Sequence, residues 1–462
     1  MNHKITTRFA PSPTGFMHVG GIRTALYSYL WAKKNDGKFI LRIEDTDKER
    51  EVKGAVEHIK KSLSWLNLKY DEEFKQSERL NIYKKYAQKL INKGYAYPDP
   101  YTTEELEKMR EGKKLFLFRE HRPEKTEDWD GKKPLRFKVP EIKRYTWNDV
   151  VFGKLSAGEE ALDDFVLIKS DGYPTYNFAH IVDDIEMGVT HVMRGQEFIP
   201  SIPKFLSLYE ALEEDFPTFI TLPLIMNGNK KLSKRDGAKD ILDYKKEGYL
   251  STAMINFLAF LGWNPGGEKE LFLIEELIKE FSLEKIQKSG AQFNEEKLDW
   301  INKEHLKKLN NEKKKEYVLN FIPEEIKELS FWGESVIERS YNHIIERIHK
   351  GSDISKLLKE GELCLFGNIK TIQDNLIWKK DSKENTKKYL EECLDLIEDF
   401  ESPEKAKEVI WPLTEKYGTG NVLWPLRIAL SSKKKSADPF TFLHLLGKEE
   451  SQKRIQNAIN IL

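Results

Sequence analysis

The stretch of residues 8–30 constrains the fold more than any other part of this 462-residue chain. A short apolar run, Ile5–Ala10, leads into a turn with two prolines and three glycines, and a helical pattern begins near Gly20 or Gly21. Glycines allow the backbone to approach a ligand closely, and the N-terminus of a helix presents free N–H groups with a partial positive charge. Because His18 stands at that end of the helix, the stretch predicts a turn that handles phosphate. An ordinary tight turn between a strand and a helix has the same features, so this alternative stays open.

The residues up to about 97 alternate between strand-like and helix-like patterns. Phe39–Ile43 is an apolar run typical of a buried strand, and it ends in the acidic turn Glu44–Asp47. Helical patterns follow at residues 52–66 and 78–93. This order predicts a parallel α/β sheet, whose ligands bind at the carboxyl ends of the strands.

Residues 97–164 differ in pattern from their surroundings, and we interpret them as an insertion of different fold. We expect the main sheet to resume with Phe165–Lys169, which precedes the turn Ser170–Tyr176. It should continue with Thr190–Gly195 and end with Thr218–Ile225.

A basic loop follows the last predicted strand. Four of the six residues of Lys230–Arg235 are cationic, and glycines lie on both sides. Such a loop suits an anion clamp, although a charge run is also typical of a solvated loop. The chain then becomes helical from residue 240, and residues 313–462 read as amphipathic helices with lysine-rich connectors.

The composition excludes several classes of protein. Lys and Arg together number 76, as do Asp and Glu, so net charge gives no evidence for nucleic acid and any basic footprint must be local. The two cysteines, Cys364 and Cys393, are too few for a disulfide framework or a zinc cluster, and we interpret them as ordinary helix residues. No apolar run reaches the roughly 18 residues of a membrane span, and no signal-peptide core precedes the first strand, so we expect a cytoplasmic protein.

The order of the motifs carries a family resemblance. Pro13–Gly20, of pattern Pro-Thr-Gly-x-x-His-Val-Gly, together with Lys231–Arg235, resembles the paired signature of class I aminoacyl-tRNA synthetases. The intervening Arg42–Asp47 and Lys169–Tyr176 narrow the resemblance to the glutamyl-tRNA synthetases. It is strong over residues 5–305 and loose from there to the end.

The resemblance implies a multidomain α/β fold. A Rossmann-like catalytic domain with a parallel sheet should carry an inserted acceptor-binding domain, and an all-helical anticodon-binding domain should follow. The expected boundaries are 1–96 and 165–239 for the two catalytic halves, 97–164 for the insertion, 240–312 for a helical domain that contacts the tRNA stem, and 313–462 for the anticodon-binding domain.

The implied activity is the ATP-dependent ligation of L-glutamate to tRNA(Glu). ATP and glutamate form glutamyl adenylate with release of pyrophosphate, and glutamate then passes to the terminal adenosine of the tRNA with release of AMP. Because this chemistry has no covalent enzyme step, catalysis should consist mainly of positioning and charge stabilisation. The family also implies a monomer without membrane association, and Mg²⁺ that arrives with the nucleotide.

The resemblance assigns roles to individual residues. The catalytic residues are His18, Lys231 and Lys234. The ATP-binding residues are Pro11, Thr14, Gly15, His18, Gly20, Gly21, Lys231, Ser233, Lys234 and Arg235. The glutamate-binding residues are Arg8, Ser12, Glu44, Tyr176, His180 and Arg194, with the arginines on carboxylates because the guanidinium group binds them bidentately. The tRNA-binding residues are Asp45, Arg136, Asp149, Phe152, Arg347 and Arg427.

Three departures from the family pattern lead to further expectations. Gly21 replaces a second histidine, which should alter contacts without loss of activity. His180 stands where many members carry a polar amide, and we expect a wall of the glutamate pocket rather than a catalyst there. Residues 95–100 contain no cysteine, so we predict no zinc.

The anticodon-binding region offers fewer signals. Single-stranded bases are read by stacking and by edge hydrogen bonds. A loose alignment places Arg347 at the position that separates the tRNAs for glutamate and glutamine, and Lys350 is a further candidate. Trp411 and Trp424 fall at helical spacing with aliphatic residues, so we expect them in the core.

Four alternatives remain at this stage. The enzyme could also charge tRNA(Gln). A glutaminyl-tRNA synthetase carries asparagine where Asp47 stands, and a glutamyl-queuosine enzyme that modifies tRNA would lack the helical region. An inactive, synthetase-like tRNA-binding protein is the alternative from another functional class, and intact His18, Lys231 and Lys234 argue against it.

Overall fold

The computed structural model describes residues 4–112, 116–158, 160, 162–232, 239–360, 363, 366 and 373–462. The chain forms two compact units. The first comprises residues 1–245 and 251–298, and the second comprises residues 246–250 and 299–462. The five-domain division expected from the resemblance is finer than this and stays a prediction.

The strands of the described residues belong to three sheets. In chain order they are β1 (Thr6–Phe9), β2 (Lys38–Ile43), β3 (Glu72–Lys75), β4 (Ala96–Pro98), β5 (Leu135–Phe137), β6 (Tyr145–Asp149), β7 (Gly153–Ala157), β8 (Val166–Ile168), β9 (His191–Gly195), β10 (Thr218–Leu222), β11 (Ile225–Asn227), β12 (Lys230–Lys231) and β13 (Ala291–Gln292).

The main sheet has the strand order β3-β2-β1-β9-β10-β6-β7. Its strands run parallel except for β7, which is antiparallel to β6. The predicted parallel α/β sheet is therefore confirmed. The carboxyl ends of β1, β2, β9 and β10 meet at one edge of this sheet.

One strand prediction is wrong. The main sheet does not resume at residues 165–169, because β8 pairs antiparallel with β5 in a separate sheet of order β4-β5-β8. The main sheet instead takes up β6 and β7, which lie in the segment interpreted as an insertion. Hydrophobic periodicity identified β8 as a strand but contains no information about its partner.

Helices occur where helical patterns were predicted, near residue 20, at residues 52–66 and 78–93, and from residue 240 onward. They are α1 (Val19–Lys34), α2 (Ala55–Trp65), α3 (Leu80–Asn92), α4 (Thr103–Arg110), α5 (Tyr176–Glu186), α6 (Ile202–Leu212), α7 (Ile241–Glu247), α8 (Ser251–Ala259), α9 (Ile274–Glu280), α10 (Glu295–Lys307), α11 (Asn311–Phe321), α12 (Glu324–Lys327), α13 (Glu334–Ile345), α14 (Asp353–Glu360), α15 (Gln373–Leu376), α16 (Lys383–Asp395), α17 (Pro403–Tyr417), α18 (Thr419–Ser431) and α19 (Pro439–Ile461). No helix of the described residues is long and apolar enough to cross a bilayer.

Helix α1 fixes the turn before it onto the sheet. Val19, Ile22, Leu26 and Leu30 recur at helical spacing and are buried, and α1 packs on β1, β2 and β9. The burial of four aliphatic side chains stabilises this packing by several kcal/mol. The first turn of α1 is thereby held at the carboxyl edge of β1.

The second unit has its own core of helix-borne apolar residues. Cys393 is buried in that core, and burial raises the pKa of its thiol to about 12, which confirms an unreactive helix residue. Cys364 lies outside the described residues. Trp411 and Trp424 pack against the same core, as predicted.

Candidate active site

A cavity of about 440 Å³ lies at the carboxyl edge of the main sheet. Arg8 is the penultimate residue of β1, Glu44 follows β2, and Arg194 is the penultimate residue of β9, and all three line the cavity. The first turn of α1 and the hairpin of β11 and β12 also line it. Eight residues predicted for the site line this cavity: Arg8, His18, Gly20, Gly21, Glu44, Tyr176, Arg194 and Lys231.

His18 is the N-cap residue of α1. Its backbone is extended, and its Nδ1 accepts a hydrogen bond of 3.1 Å from the backbone N–H of Gly20. A capping side chain satisfies one of the free N–H groups at the start of a helix. A Cβ atom added at Gly20 would lie only 2.9 Å from His18 Cε1, so the glycine is needed for this position of the ring.

The basic loop is only partly described. Lys231, in β12, lines the cavity with an exposed side chain, and its Nζ lies 3.9 Å from Glu197 Oε1. At that distance and exposure the pair is a weak restraint. Ser233, Lys234 and Arg235 lie outside the described residues, so their predicted roles stay predictions.

The Arg8 and Glu44 side chains are held by a buried ionic cluster. Arg8 Nε donates to Asp184 Oδ1 at 3.1 Å, and Arg42 donates to the same oxygen through Nη1 at 2.7 Å. Arg42 also donates to Glu44 Oε1 through Nη2 at 3.0 Å. Burial alone would raise the pKa of Asp184, but the charges of Arg8 and Arg42 outweigh it and hold that pKa well below its ordinary value.

Glu44 lines this cavity and also a second cavity that adjoins it, and among the described residues it is the one acidic side chain that the two share. Burial raises the pKa of its carboxyl, and the charges of Arg42 and Arg8 oppose that rise. Its backbone N–H donates to the carbonyl of Pro11 at 3.0 Å, which ties the acidic turn to the glycine-rich turn. Pro11 itself is buried and does not line the cavity.

Arg194 has no carboxylate to pair with among the described residues. Its side chain is buried, its Nε and Nη1 lack hydrogen-bond partners in the described part of the chain, and its guanidinium lies 4.9 Å from the ring centre of Phe198. A buried polar group without a partner costs about 1–3 kcal/mol, and more when it is charged. Arg194 is therefore arranged to receive an anion.

Tyr176 forms one wall of the cavity, and His180 lies behind it. The two rings are stacked at 4.8 Å, and His180 Nδ1 lies 2.7 Å from the carbonyl oxygen of Tyr176, so Nδ1 carries the proton and donates it. Burial and then the charge of Arg194 lower the pKa of His180 well below its ordinary value, so the imidazole is neutral. His180 does not line the cavity.

A second cavity of about 570 Å³ adjoins the first. The two share Glu44 and Tyr176 as walls. Ser12 and Thr14, predicted for glutamate and ATP, line this second cavity, whereas Gly15 lines neither.

Three of the predicted tRNA-binding residues are buried. Asp45 accepts from the Ser77 backbone N–H, Arg136 donates to Asp99 at 2.7 Å, and Asp149 accepts from the N–H groups of residues 151, 152 and 221. They are 0%, 6% and 2% exposed, respectively. Their side chains are occupied by internal partners and have almost no exposed surface, and their predicted contact with tRNA stays a prediction.

The other candidates retain exposed surface. Phe152 is half-buried, Arg347 is exposed, and Arg427 donates to the Ser436 carbonyl at 3.0 Å while half-buried. Lys350 is engaged by Asp299 and by the hydroxyl group of Tyr249. The roles of Phe152, Arg347 and Arg427 stay predictions.

Sequence reasoning missed four charged residues of the site and its surroundings: Arg23, Arg42, Asp184 and Glu197. Arg23 and Glu197 line the first cavity, and the other two form the cluster behind it. A signal existed for two of them, because Arg42 interrupts an apolar strand run and Asp184 ends an apolar stretch of a helix. Charged residues in such positions are normally paired or functional.

Comparison with known proteins decides the family. Residues 4–300 match the family described as tRNA synthetases class I (E and Q), catalytic domain, and residues 346–459 match an anticodon binding domain. The glutamate–tRNA ligase of Clostridium botulinum is 40% identical over 100% of this chain and 99% of its own length. The chain belongs to the glutamate–tRNA ligases.

Solved structures of glutamate–tRNA ligases share the fold. A crystal structure of the ligase from Elizabethkingia meningosepticum in complex with its amino acid is similar with a TM-score of 0.87 and 35% identity, covering 100% of both chains. The ligase from Elizabethkingia anophelis gives a TM-score of 0.84 at 36% identity, over 99% of this chain and 100% of that one. A glutamate–tRNA ligase from Carboxydothermus hydrogenoformans is 36% identical over 99% of this chain and 100% of its own.

Family membership confirms the reaction class. As a glutamate–tRNA ligase, the chain is a class I aminoacyl-tRNA synthetase that glutamylates tRNA. The alternative of an inactive tRNA-binding protein is not favoured.

Proposed function

We propose that the first cavity binds L-glutamate and ATP side by side and forms glutamyl adenylate, which then acylates tRNA(Glu). In the first step a carboxylate oxygen of glutamate attacks the α-phosphorus of ATP, and the bond to pyrophosphate breaks. In the second step a ribose hydroxyl of the terminal adenosine attacks the carbonyl carbon, and AMP leaves.

The observation that carries the proposal is the excess of buried positive charge at the glutamate end. Three guanidinium groups (Arg8, Arg42 and Arg194) face two carboxylates (Glu44 and Asp184), and all five residues are at most 6% exposed. The neighbouring buried carboxylate of Asp183 is paired with Arg79 at 2.8 Å and leaves this balance unchanged. Free glutamate has two carboxylates and one ammonium group, so its net charge of −1 would neutralise the site. The ammonium group would lie at Glu44 and the carboxylates at Arg8 and Arg194.

The same charge balance supports selection against glutamine. A neutral amide in place of the side-chain carboxylate leaves one buried guanidinium without a counter-charge. An unpaired buried charge costs several kcal/mol, which corresponds to a discrimination of about a thousandfold or more. The proposal therefore includes no editing step.

For ATP, the first turn of α1 supplies N–H groups and the partial positive charge of a helix N-terminus. His18 and Lys231 both line the cavity, and we propose that they stabilise the charge that develops on the phosphates. Lys234, from the signature of the family, would add a further cation to that stabilisation.

Mg²⁺ would arrive on the phosphates of ATP. Within the described ranges, no group of three or more His, Cys, Asp or Glu side chains could hold a metal ion. The charged side chains that line the cavity mostly suit anions. Among the described residues of that lining, Glu44 and Glu197 are the only acidic side chains, and so the only ones that suit a cation. We accordingly propose Mg²⁺ as part of the substrate complex and no zinc.

The second cavity supports a route for the acceptor end of the tRNA. It opens beside Glu44 and Tyr176, the walls that it shares with the glutamate site. Lys48, Arg50 and Lys169 line it together with Asp47, Glu49 and Asp171, and Arg50 and Lys169 are paired with Asp47 at 2.6 Å and with Asp171 at 2.8 Å. These cations would exchange their carboxylate partners for phosphate oxygens of the tRNA. The acceptor hydroxyl could thus reach the adenylate without displacing the nucleotide.

Arg194→Gln tests the glutamate assignment, with ATP–pyrophosphate exchange in the presence of tRNA(Glu) as the assay. We expect kcat/KM for glutamate to fall by about a thousandfold and the preference over glutamine to collapse. Arg79→Gln is the matched control, because Arg79 donates to Asp183 at 2.8 Å outside both cavities. Undiminished preference for glutamate in Arg194→Gln would remove Arg194 from recognition.

The range of tRNAs and the state of the protein are separate questions. Charging of purified tRNA(Glu) and tRNA(Gln) transcripts with labelled glutamate distinguishes a specific ligase from a broad one, and we propose tRNA(Glu) as the substrate. We also propose that the protein is cytoplasmic and that it is a monomer. Sedimentation with and without tRNA would test the oligomeric state. The resemblance to the family also implies that glutamate activation requires tRNA. Exchange at full rate without tRNA would contradict this expectation.

A further inference from the structure

We propose that Arg42 is a positioning residue that sets the spacing between the two ends of the glutamate pocket. One end is the Arg8 guanidinium and the other is the Glu44 carboxylate. This inference rests on the proposed glutamate site and adds to it a residue that never touches the substrate.

Arg42 is separated from both cavities. Its side chain is 0% exposed and lines neither of them. A fully buried cation that makes no contact with a ligand is costly to desolvate. Its contacts must therefore account for its presence.

The contacts of Arg42 join the two ends of the pocket. Nε and Nη2 donate to Glu44 Oε1 at 3.3 and 3.0 Å, and Nη1 donates to Asp184 Oδ1 at 2.7 Å. The same Asp184 oxygen accepts from Arg8 Nε at 3.1 Å. One planar guanidinium thus lies between the acid that would bind the ammonium group and the aspartate that holds the arginine for a carboxylate.

Planarity is what makes this arrangement a spacer. The donors of a guanidinium group are fixed relative to one another, whereas an ammonium group on a flexible stem can follow either partner alone. Glu44 and Arg8 also lie on or next to adjacent parallel strands, β2 and β1. The strands fix their backbones, and Arg42 fixes their side chains.

In the same cluster it is Asp183, rather than Arg42, that holds neighbouring elements of the fold together. Asp183, next to Asp184 on α5, accepts from Arg79 at 2.8 Å, from Tyr83 at 2.8 Å and from Gln76 at 2.9 Å. These contacts attach α5 to α3 and the segment before it. Arg42 lies 3.8 Å from Asp183 and makes its short bonds toward the pocket instead.

The test is Arg42→Lys, which keeps the charge and removes the planar fork. We expect KM for glutamate to rise by about tenfold to a hundredfold, because a misplacement of about 1 Å has effects of that size. KM for ATP should stay within twofold. Glutarate has both carboxylates but no ammonium group, and its competitive inhibition measures its affinity. The decisive quantity is the ratio of the affinity for glutamate to the affinity for glutarate.

In the unchanged enzyme glutarate should bind more weakly than glutamate, because it makes no use of Glu44. In Arg42→Lys this difference should shrink by at least about fivefold, since Glu44 is no longer aligned with Arg8. A general loss of stability would weaken both ligands together and leave the ratio of their affinities unchanged. The proposal would be overturned if, in Arg42→Lys, both the affinity ratio of glutamate to glutarate and the KM for glutamate stay within twofold of the values for the unchanged enzyme.

Asp184→Asn keeps the test decisive if Arg42→Lys does not fold. It weakens the link to Arg8 and leaves the bond from Arg42 to Glu44, so both ligands should weaken by about tenfold while KM for ATP stays within twofold, which a general loss of stability would not produce. Unchanged binding of both would also refute the spacer. Arg79→Lys, the control, should leave both ligands and ATP unaffected. If the proposed glutamate site itself is wrong, a different result follows: the unchanged enzyme shows no glutamate-dependent ATP–pyrophosphate exchange in the presence of tRNA.

Discussion

Gly20→Ala should nearly abolish activity while leaving the fold intact. The added Cβ would lie 2.9 Å from His18 Cε1 and 3.1 Å from His18 Nδ1, closer than the roughly 3.5–4.0 Å of favourable carbon contacts. The ring must therefore move by about half an ångström or more, and it loses its hydrogen bond from the Gly20 N–H.

The effects on stability should nearly cancel. Loss of an N-cap bond costs about 1 kcal/mol, and replacement of glycine by alanine in a helix stabilises by up to about 1 kcal/mol. Activity has no such compensation, because displacement of one transition-state donor costs about a hundredfold to a thousandfold in rate. The melting temperature should stay within a few degrees.

The assay is ATP–pyrophosphate exchange with glutamate and tRNA, and thermal melting is measured on the same samples. Gly333→Ala is the control, since an added Cβ there meets no atom within 4 Å. His18→Ala and the double variant show how the alanine acts: if Gly20→Ala works through His18, the double variant is no slower than His18→Ala. An exchange rate for Gly20→Ala within threefold of the unchanged enzyme would falsify the reasoning.

Two further predictions concern the basic loop and the second unit. Lys234→Ala should slow adenylate formation by about a hundredfold, as loss of one transition-state donor does, and an unchanged exchange rate would exclude Lys234 from the mechanism. Burial lowers the pKa of His305 and of His343 to about 4, so the unfolded chain takes up protons first as pH falls below about 6.5. Stability should then decrease from pH 6.5 toward pH 4, by up to about 3 kcal/mol for His305. Denaturant titrations of His305→Gln should show a shallower decrease, and a decrease equal to that of the unchanged protein would contradict this assignment.

Local patterns carried most of the secondary structure. The apolar runs of β1, β2, β9 and β10 and the helical spacing of α1 were readable because each depends on neighbours a few residues apart. Among the signature residues, Glu44 directly follows β2 and Arg194 lies near the end of β9, and the ends of parallel strands meet at one edge. The cavity that joins them was therefore predictable in outline.

Strand pairing was not readable in the same way. Residues 166–168 form a strand as predicted, yet they pair with Leu135–Phe137 rather than with the main sheet. Residues 145–149 and 153–157 enter the main sheet from the segment that looked like an insertion. A strand's sequence records which of its faces is buried but not which edge accepts its hydrogen bonds.

The amino-acid sequence by itself determined the family, the reaction and the position of the glycine-rich turn, because those depend on residue types in a fixed order. Only the tertiary structure decided how the charges are shared. Arg42 and Asp184 are 142 residues apart in the chain and 2.7 Å apart in space. It also showed that Asp45, Arg136 and Asp149 are occupied internally. Such assignments depend on which charged groups burial brings together, since a buried charge must find a partner within a few ångströms and the chain order does not name that partner.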